Sequence, residues 1–171
     1  MISTNEKYFM SISVLKELVT TWKAETEKGD ELCKIPVYQD ALAHYMNAMI
    51  AAELLIEHNE FAWGNGVPVP EWYYVSCLHL ASVFVELKQM NEASTYLLYG
   101  SYKIKQLASL PTKEYELRDA AEVFSKRAFS VYLNFFKITG KKMPPDITSD
   151  ETFFQVEKLK LLFDNTEWNK N

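Results

Sequence analysis

Residues 71–88 read EWYYVSCLHLASVFVELK, and almost every one of them is apolar. Between its charged ends, Glu71 and Lys88, the strongly polar positions are Ser76, His79, Ser82 and Glu86. The run lacks the apolar–polar alternation that a half-buried strand requires. A helix that is apolar almost all round is buried on most sides. Glu71–Lys88 is therefore expected to be the central helix of an all-α fold.

The neighbouring segments extend that reading. Downstream, Asn91–Ala108 is a helix that Asn91 can cap and that Leu110-Pro111 ends. Its inward positions are Ala93, Tyr96, Leu97, Gly100, Ile104 and Leu107. Upstream, Phe61–Pro70 is a connection in which Asn65-Gly66 forms a tight turn and two prolines forbid a regular helix. Before it lies a helix over about Pro36–His58, whose stripe runs from Tyr38, Ala41 and Tyr45 to Leu55 and Ile56. Pro36 suits a first helical turn. The first helix is expected from about Asn5 to Lys28, on the spacing of Tyr8, Ile12, Leu15, Val19 and Trp22, with Gly29 as its stop. A fifth helix spans Lys113–Thr139, with Leu117, Ala121, Phe124, Ala128, Val131, Phe135 and Ile138 inward and Gly140 closing it. Thr148-x-x-Glu151 is a capping box. It opens a sixth helix with the stripe Phe153, Val156, Leu159, Leu162 and Phe163. Residues 165–171 form a polar tail. The expectation is about six antiparallel helices in a single domain over residues 1–171, as stacked hairpins or as a bundle.

Composition agrees and excludes several classes. The 171 residues are 48% apolar and 24% charged, with a net charge of −5. That is an ordinary globular balance, not a disordered acidic chain. It lacks the basic excess of a nucleic-acid binder. The charge is uneven. Residues 1–100 hold 6 Lys+Arg against 13 Asp+Glu, a balance of −7, and residues 101–171 hold 12 against 10, a balance of +2. Cys33 and Cys77 are the only cysteines and form no CxxC pair. They are expected to stay reduced, in a cytoplasmic setting. No apolar run approaches the length of a membrane span, and the N-terminus lacks the pattern of a leader.

The two helices within residues 71–108 carry a family resemblance. Ala81 and Phe84 lie in the first, and Ala93, Leu97 and Gly100 in the second. The small residues let the helices approach closely, while Phe84 and Leu97 fill the space between them. This arrangement over residues 74–107 resembles a tetratricopeptide repeat, a helical hairpin of about 34 residues. The resemblance implies a right-handed superhelix of hairpins that binds a protein or peptide on the face carrying Val75, Leu78, Ser82, Val85 and Glu86. Members that clamp an acidic peptide terminus use Lys, Asn and Arg there. None stands at these positions, so an apolar, basic or apolar-basic ligand is implied.

The remaining chemistry-bearing residues give little support for catalysis. His44 and His58 are fourteen residues apart, about 21 Å along a helix, too far to share a metal. His79 reads as a hydrogen-bonded core or edge histidine. Glu53, Glu57 and Glu60 read as a solvated acidic face. Gly64-Asn65-Gly66 lacks the context of a phosphate loop, and Cys77 sits where a thiolate is disfavoured. Phe61, Trp63, Trp72, Tyr73 and Tyr74 crowd one connection, and Trp and Tyr are favoured binding anchors. The expectation is a non-catalytic protein-interaction module, an adaptor or chaperone-like protein without cofactor or metal. Its contacts would be Trp63, Trp72, Tyr73 and the five stripe residues. The alternative is a small-molecule-binding or enzymatic bundle, with His79, Tyr45 or Glu86 converging on a ligand. Homo-oligomerisation through the fifth-helix stripe is a further option.

Overall fold

The computed structural model describes residues 10–142. They form six helices and, among the described residues, no strand. These are α1 (Ile12–Lys34), α2 (Tyr38–Glu57), α3 (Asn59–Gly64), α4 (Val69–Glu86), α5 (Met90–Ser109) and α6 (Tyr115–Thr139). The fold is all-α. The helix expected over residues 148–163, Tyr8 and the polar tail lie outside the described residues. The chain divides into two compact units, Met1–Tyr132 and Leu133–Asn171, where the sequence reads as a single domain. The boundary falls inside α6.

Several helix ends differ from the sequence expectation, each for a local reason. α1 starts at Ile12, because the Ser11 side chain accepts from Val14 N at 3.2 Å and satisfies a free N–H of the first turn. It runs through Gly29 to Lys34. Gly29 is not a stop; it is buried, and a Cβ there would meet the Tyr45 ring, with Cδ1 at 2.7 Å. Ile35-Pro36 form the turn, and α2 begins two residues after the proline. Residues 59–64 are helical, so the aromatic connection is partly α3. Asn65-Gly66 do form the expected turn, with Gly66 at φ +81°. Pro68 caps α4 and Pro70 lies in its first turn, where a missing N–H costs nothing. The cap of α5 is Gln89, which places Asn91 inside the helix. Gly140 closes α6 as expected, at φ +66° with its N–H on Phe136 O at 3.0 Å.

In the first unit, α1 and α2 form one antiparallel hairpin and α4 and α5 another. In the first hairpin Glu25 reaches His44 and Asn47, while Asp30 and Cys33 reach Tyr45. In the second, Phe84 stacks on Tyr96 with ring centroids 5.5 Å apart, and Cys77 faces Gly100. The hairpins stack in the same orientation. Trp22 meets Trp72 and Asp30 faces His79, so α1 and α4 run parallel. Met46 meets Tyr96 and Glu53 faces Lys103, so α2 and α5 run parallel. Tyr74 against Phe124, 5.6 Å between centroids, sets α6 on α4.

α4 is the central helix, as its composition demands. It buries Val69, Pro70, Tyr73, Ser76, Cys77, Leu80, Ala81, Val83 and Phe84. Fully covering each large apolar side chain contributes about 1.5–3 kcal/mol. From α6, Leu117, Ala121, Ala128 and Tyr132 are buried. Ile138, expected to face inward, is 85% exposed. The stripe proposed as an oligomer interface is thus largely internal, because it supplies core rather than surface.

Candidate functional site

Val75, Leu78, Ser82 and Val85 recur three or four residues apart on α4, and Glu86 follows Ser82 by four, so the five share one stripe. Val75, Leu78 and Val85 are half-buried, and Ser82 and Glu86 are exposed. The structure therefore leaves the expected contact face partly open. Two further candidates stand differently. Tyr73 has no exposed surface: its ring lies in the core, and its hydroxyl donates to Glu53 Oε1 at 2.5 Å. It cannot touch a partner. Trp63 is half-buried on α3, a different element.

Trp72 lies beside the stripe and is held firmly. Its ring stacks on Trp22 at 4.1 Å with 6° between planes. Trp22 Nε1 donates to Ser76 Oγ at 2.8 Å, and Ser76 donates to Trp72 O at 2.9 Å. Lys23 Nζ sits 5.7 Å from the Trp72 ring centre, within cation–π range. The ring pair is thus fixed by one buried hydrogen bond and covered in part by a cation.

A second constellation lies where α1, α2 and α4 meet. The Tyr45 hydroxyl donates to Asp30 Oδ1 at 2.7 Å and lies 3.7 Å from Cys33 Sγ. The His79 ring tilts against Tyr45 at 4.7 Å, with Nε2 3.8 Å from Asp30 Oδ1. That separation is an ion-pair distance, too long for a hydrogen bond. His79 Nδ1 is buried with no hydrogen-bond partner. The expected hydrogen-bonded histidine is therefore not found. Burial lowers the His79 pKa, against a smaller opposing pull from Asp30. Burial, then the bond to Asp30, pushes the Tyr45 phenol well above its ordinary value. His79 and Tyr45 converge as the alternative reading expects. Glu86 does not join them, being seven residues, about 10 Å, further along α4.

Glu53 departs from the solvated face that the sequence implies. It is half-buried between α2, α4 and α5, accepts from Tyr73 and faces Lys103 Nζ at 3.8 Å. Tyr99 lies 6.3 Å from the Tyr73 ring. Burial first, then the Glu53 charge, raises the Tyr73 and Tyr99 phenols. Burial also raises the Cys77 thiol, which disfavours a reactive thiolate. Neither Glu53 nor Asp30 carries a sequence signal for these roles. Their partners lie on helices fifteen to fifty residues away in the chain.

Among the described residues no group of three or more His, Cys, Asp or Glu is placed to hold a metal ion. No described helix is long and apolar enough to cross a membrane. Both cysteines are free. No curated protein and no solved structure matches the chain. The family described as "Protein of unknown function (DUF2753)" matches residues 20–152, 133 of the 171 residues, and the chain belongs to that family.

Proposed function

We propose that the chain is a non-catalytic interaction module that binds a basic or apolar-basic peptide along α4. The observation that carries this reading is the open stripe itself. Val75, Leu78 and Val85 keep apolar surface uncovered, bordered by Ser82 and the exposed carboxylates Glu71 and Glu86. Between Lys34 and Lys88 the sequence has Asp40, Glu53, Glu57, Glu60, Glu71 and Glu86, and no Lys or Arg. Such a field attracts cationic segments and repels acidic ones. Trp72, immobilised on Trp22, supplies a rigid aromatic edge at low entropic cost. The free thiols suit a cytoplasmic setting.

The test is binding to an immobilised peptide series graded from acidic to basic, each with an apolar core. The reading expects retention of the basic members, weakening as salt rises. Leu78→Asp, checked for native helix content by circular dichroism, is expected to lose that retention. Equal retention of acidic peptides, or unchanged retention by the variant, rejects it.

A second reading, a ligand held between helices, draws on the unpartnered His79 Nδ1 beside Tyr45. A buried imidazole nitrogen without a partner is costly unless something satisfies it. A small-molecule fragment screen read by imidazole proton shifts tests it. A compound that moves His79 and leaves His58 unmoved favours this reading, and none that does so rejects it.

A further inference from the structure

The face of Trp72 that turns away from Trp22 carries a cation of the chain's own. The two indoles lie nearly parallel with centroids 4.1 Å apart, so Trp22 covers one side of the ring. Lys23 Nζ stands over the Trp72 ring, 5.7 Å from its centre, and so takes the other side. The ring itself is fixed, because Trp22 Nε1 is tied to Ser76 Oγ and Ser76 Oγ to Trp72 O. Lys23 is exposed on α1, and among the described residues no carboxylate pairs with it. A rigid aromatic face is thus closed by one ammonium with a single contact.

Two other cations lie over rings among the described residues, and both are arginines. Arg118 is 5.2 Å from the Tyr115 ring centre, and Arg127 is 5.0 Å from that of Phe124. Indole is the strongest of the three ring types for a cation. A guanidinium is planar, stacks on an aromatic face and is more weakly hydrated than an ammonium. The strongest ring therefore holds the cation least suited to it, at the longest of the three distances. Glu71 precedes Trp72 in the first turn of α4 and is exposed. Among the described residues no cation pairs with it. Its carboxylate also offsets the positive end of the helix, which would otherwise repel a cation there.

We infer that the outer face of Trp72 is a guanidinium subsite, in which Lys23 is a placeholder that an arginine of the bound peptide displaces. The arginine lays its plane on the indole, with Glu71 as the neighbouring counter-charge. The subsite deepens the reading of α4 as the face that meets a basic peptide, and it rests on that reading for the ligand being basic. It adds which cation is preferred and where it sits. The arginine lies at the Glu71 end of α4, and Val75, Leu78 and Val85 follow along the helix to take the apolar part. A lysine would exchange one ammonium for another and gain little. Lys23 weakens binding while it occupies the ring, because the incoming group must first remove it. Its loss is expected to tighten the binding of an arginine about two- to fivefold, the range of an exposed cation–π contact.

The test is proton NMR on the full chain at constant ionic strength. The probe is arginine blocked at both ends by acetyl and methylamide groups, with blocked citrulline as its neutral planar counterpart. In the free protein the Trp72 ring current moves the Lys23 ε-methylene protons upfield, and Lys23→Gln identifies them. Blocked arginine is expected to return them to the ordinary lysine position, while citrulline leaves them in place. The Trp72 indole resonance, identified by its absence in Trp72→Phe, is expected to respond to blocked arginine at lower concentration in Lys23→Gln. In Lys16→Gln, which removes the same charge from an exposed position of α1, that concentration is expected to stay as in the wild type. Both lysines are exposed, and unchanged helix content by circular dichroism excludes misfolding. Lys23 protons that stay in place, citrulline acting as well as arginine, or Lys23→Gln binding no tighter than Lys16→Gln each overturns the inference. Release of Lys23 by blocked arginine without retention of basic peptides keeps the subsite and rejects the peptide reading. Retention of basic peptides with Lys23 unmoved does the reverse.

Discussion

The two hairpins of the first unit solve one packing problem in two ways. Each carries a buried glycine inside a helix, and each glycine receives a side chain from its partner helix. At Gly100 the visitor is Cys77, and a Cβ would lie 2.8 Å from its Sγ and 2.9 Å from its Cβ. At Gly29 the visitor is the ring of Tyr45, whose hydroxyl is tied to Asp30. The α4–α5 contact is therefore apolar and rooted in backbone position. The α1–α2 contact is a ring held at its far end by a polar group. A glycine in a helix interior costs up to about 1 kcal/mol against alanine. Both are retained at that cost because the close approach buries more than an alanine would allow.

The largest expected effect is at the stiffer site. Gly100→Ala sets its methyl against Cys77 Cβ, which cannot move without α4. Overpacking of this kind costs about 1–3 kcal/mol. Net of the propensity gain, we expect a loss of about 2 kcal/mol in urea unfolding. The loss should be smaller in a Cys77→Ala background, and equal losses in the two backgrounds would break the account. Gly29→Ala is expected to cost less, about 1 kcal/mol, because the Tyr45 ring can swing at the expense of its bond to Asp30. If Gly29→Ala proves more costly than Gly100→Ala, the distinction between a tethered ring and a rooted side chain is wrong.

The polar junction should also respond to pH where the apolar one does not. His79 is depressed below its ordinary value of 6.5, chiefly by burial. The folded state therefore holds the neutral ring while the unfolded state takes up a proton. Stability from this group is full above about pH 6.5 and is lost as pH falls from there toward the lower folded value. The urea midpoint should drop between pH 7.5 and 5.5, and His79→Asn should flatten that drop. An unchanged slope in the variant removes His79 from the account.

The smallest expected effect lies in the turn of the second hairpin. Lys88 has φ +63°, a left-handed conformation that a side chain disfavours. It closes α4 with its N–H on Val85 O and with Gln89 N on Phe84 O. Lys88→Gly should raise stability by a few tenths of a kcal/mol, net of the glycine's greater freedom when unfolded. The corresponding turn of the first hairpin, Ile35-Pro36, has no positive φ to relieve.

Legibility followed the range of the interaction. α4 was readable because an all-apolar helix has few places to go, and α5 because Leu110-Pro111 forbids continuation. That Val75, Leu78, Ser82, Val85 and Glu86 share one stripe of α4 was readable because they follow helical spacing. Tyr73 reads as part of that surface and is instead buried, because an aromatic in a Trp-Tyr-Tyr cluster looks the same whether it faces a partner or Glu53. Gly29 reads as a helix stop in the sequence because its true partner, Tyr45, lies on the next helix. α3 was missed because six residues are too short to show a period.

The sequence by itself determined that the chain is all-α, where α4, α5 and α6 lie and which connections break them. Those properties rest on local spacing, proline geometry and glycine freedom, which operate within a few residues. Only the tertiary structure decided that His79, Tyr45 and Asp30 meet, that Glu53 is drawn inward, and that Trp72 lies between Trp22 and Lys23. Those outcomes depend on the register between helices, which is set by contacts between residues far apart in the chain.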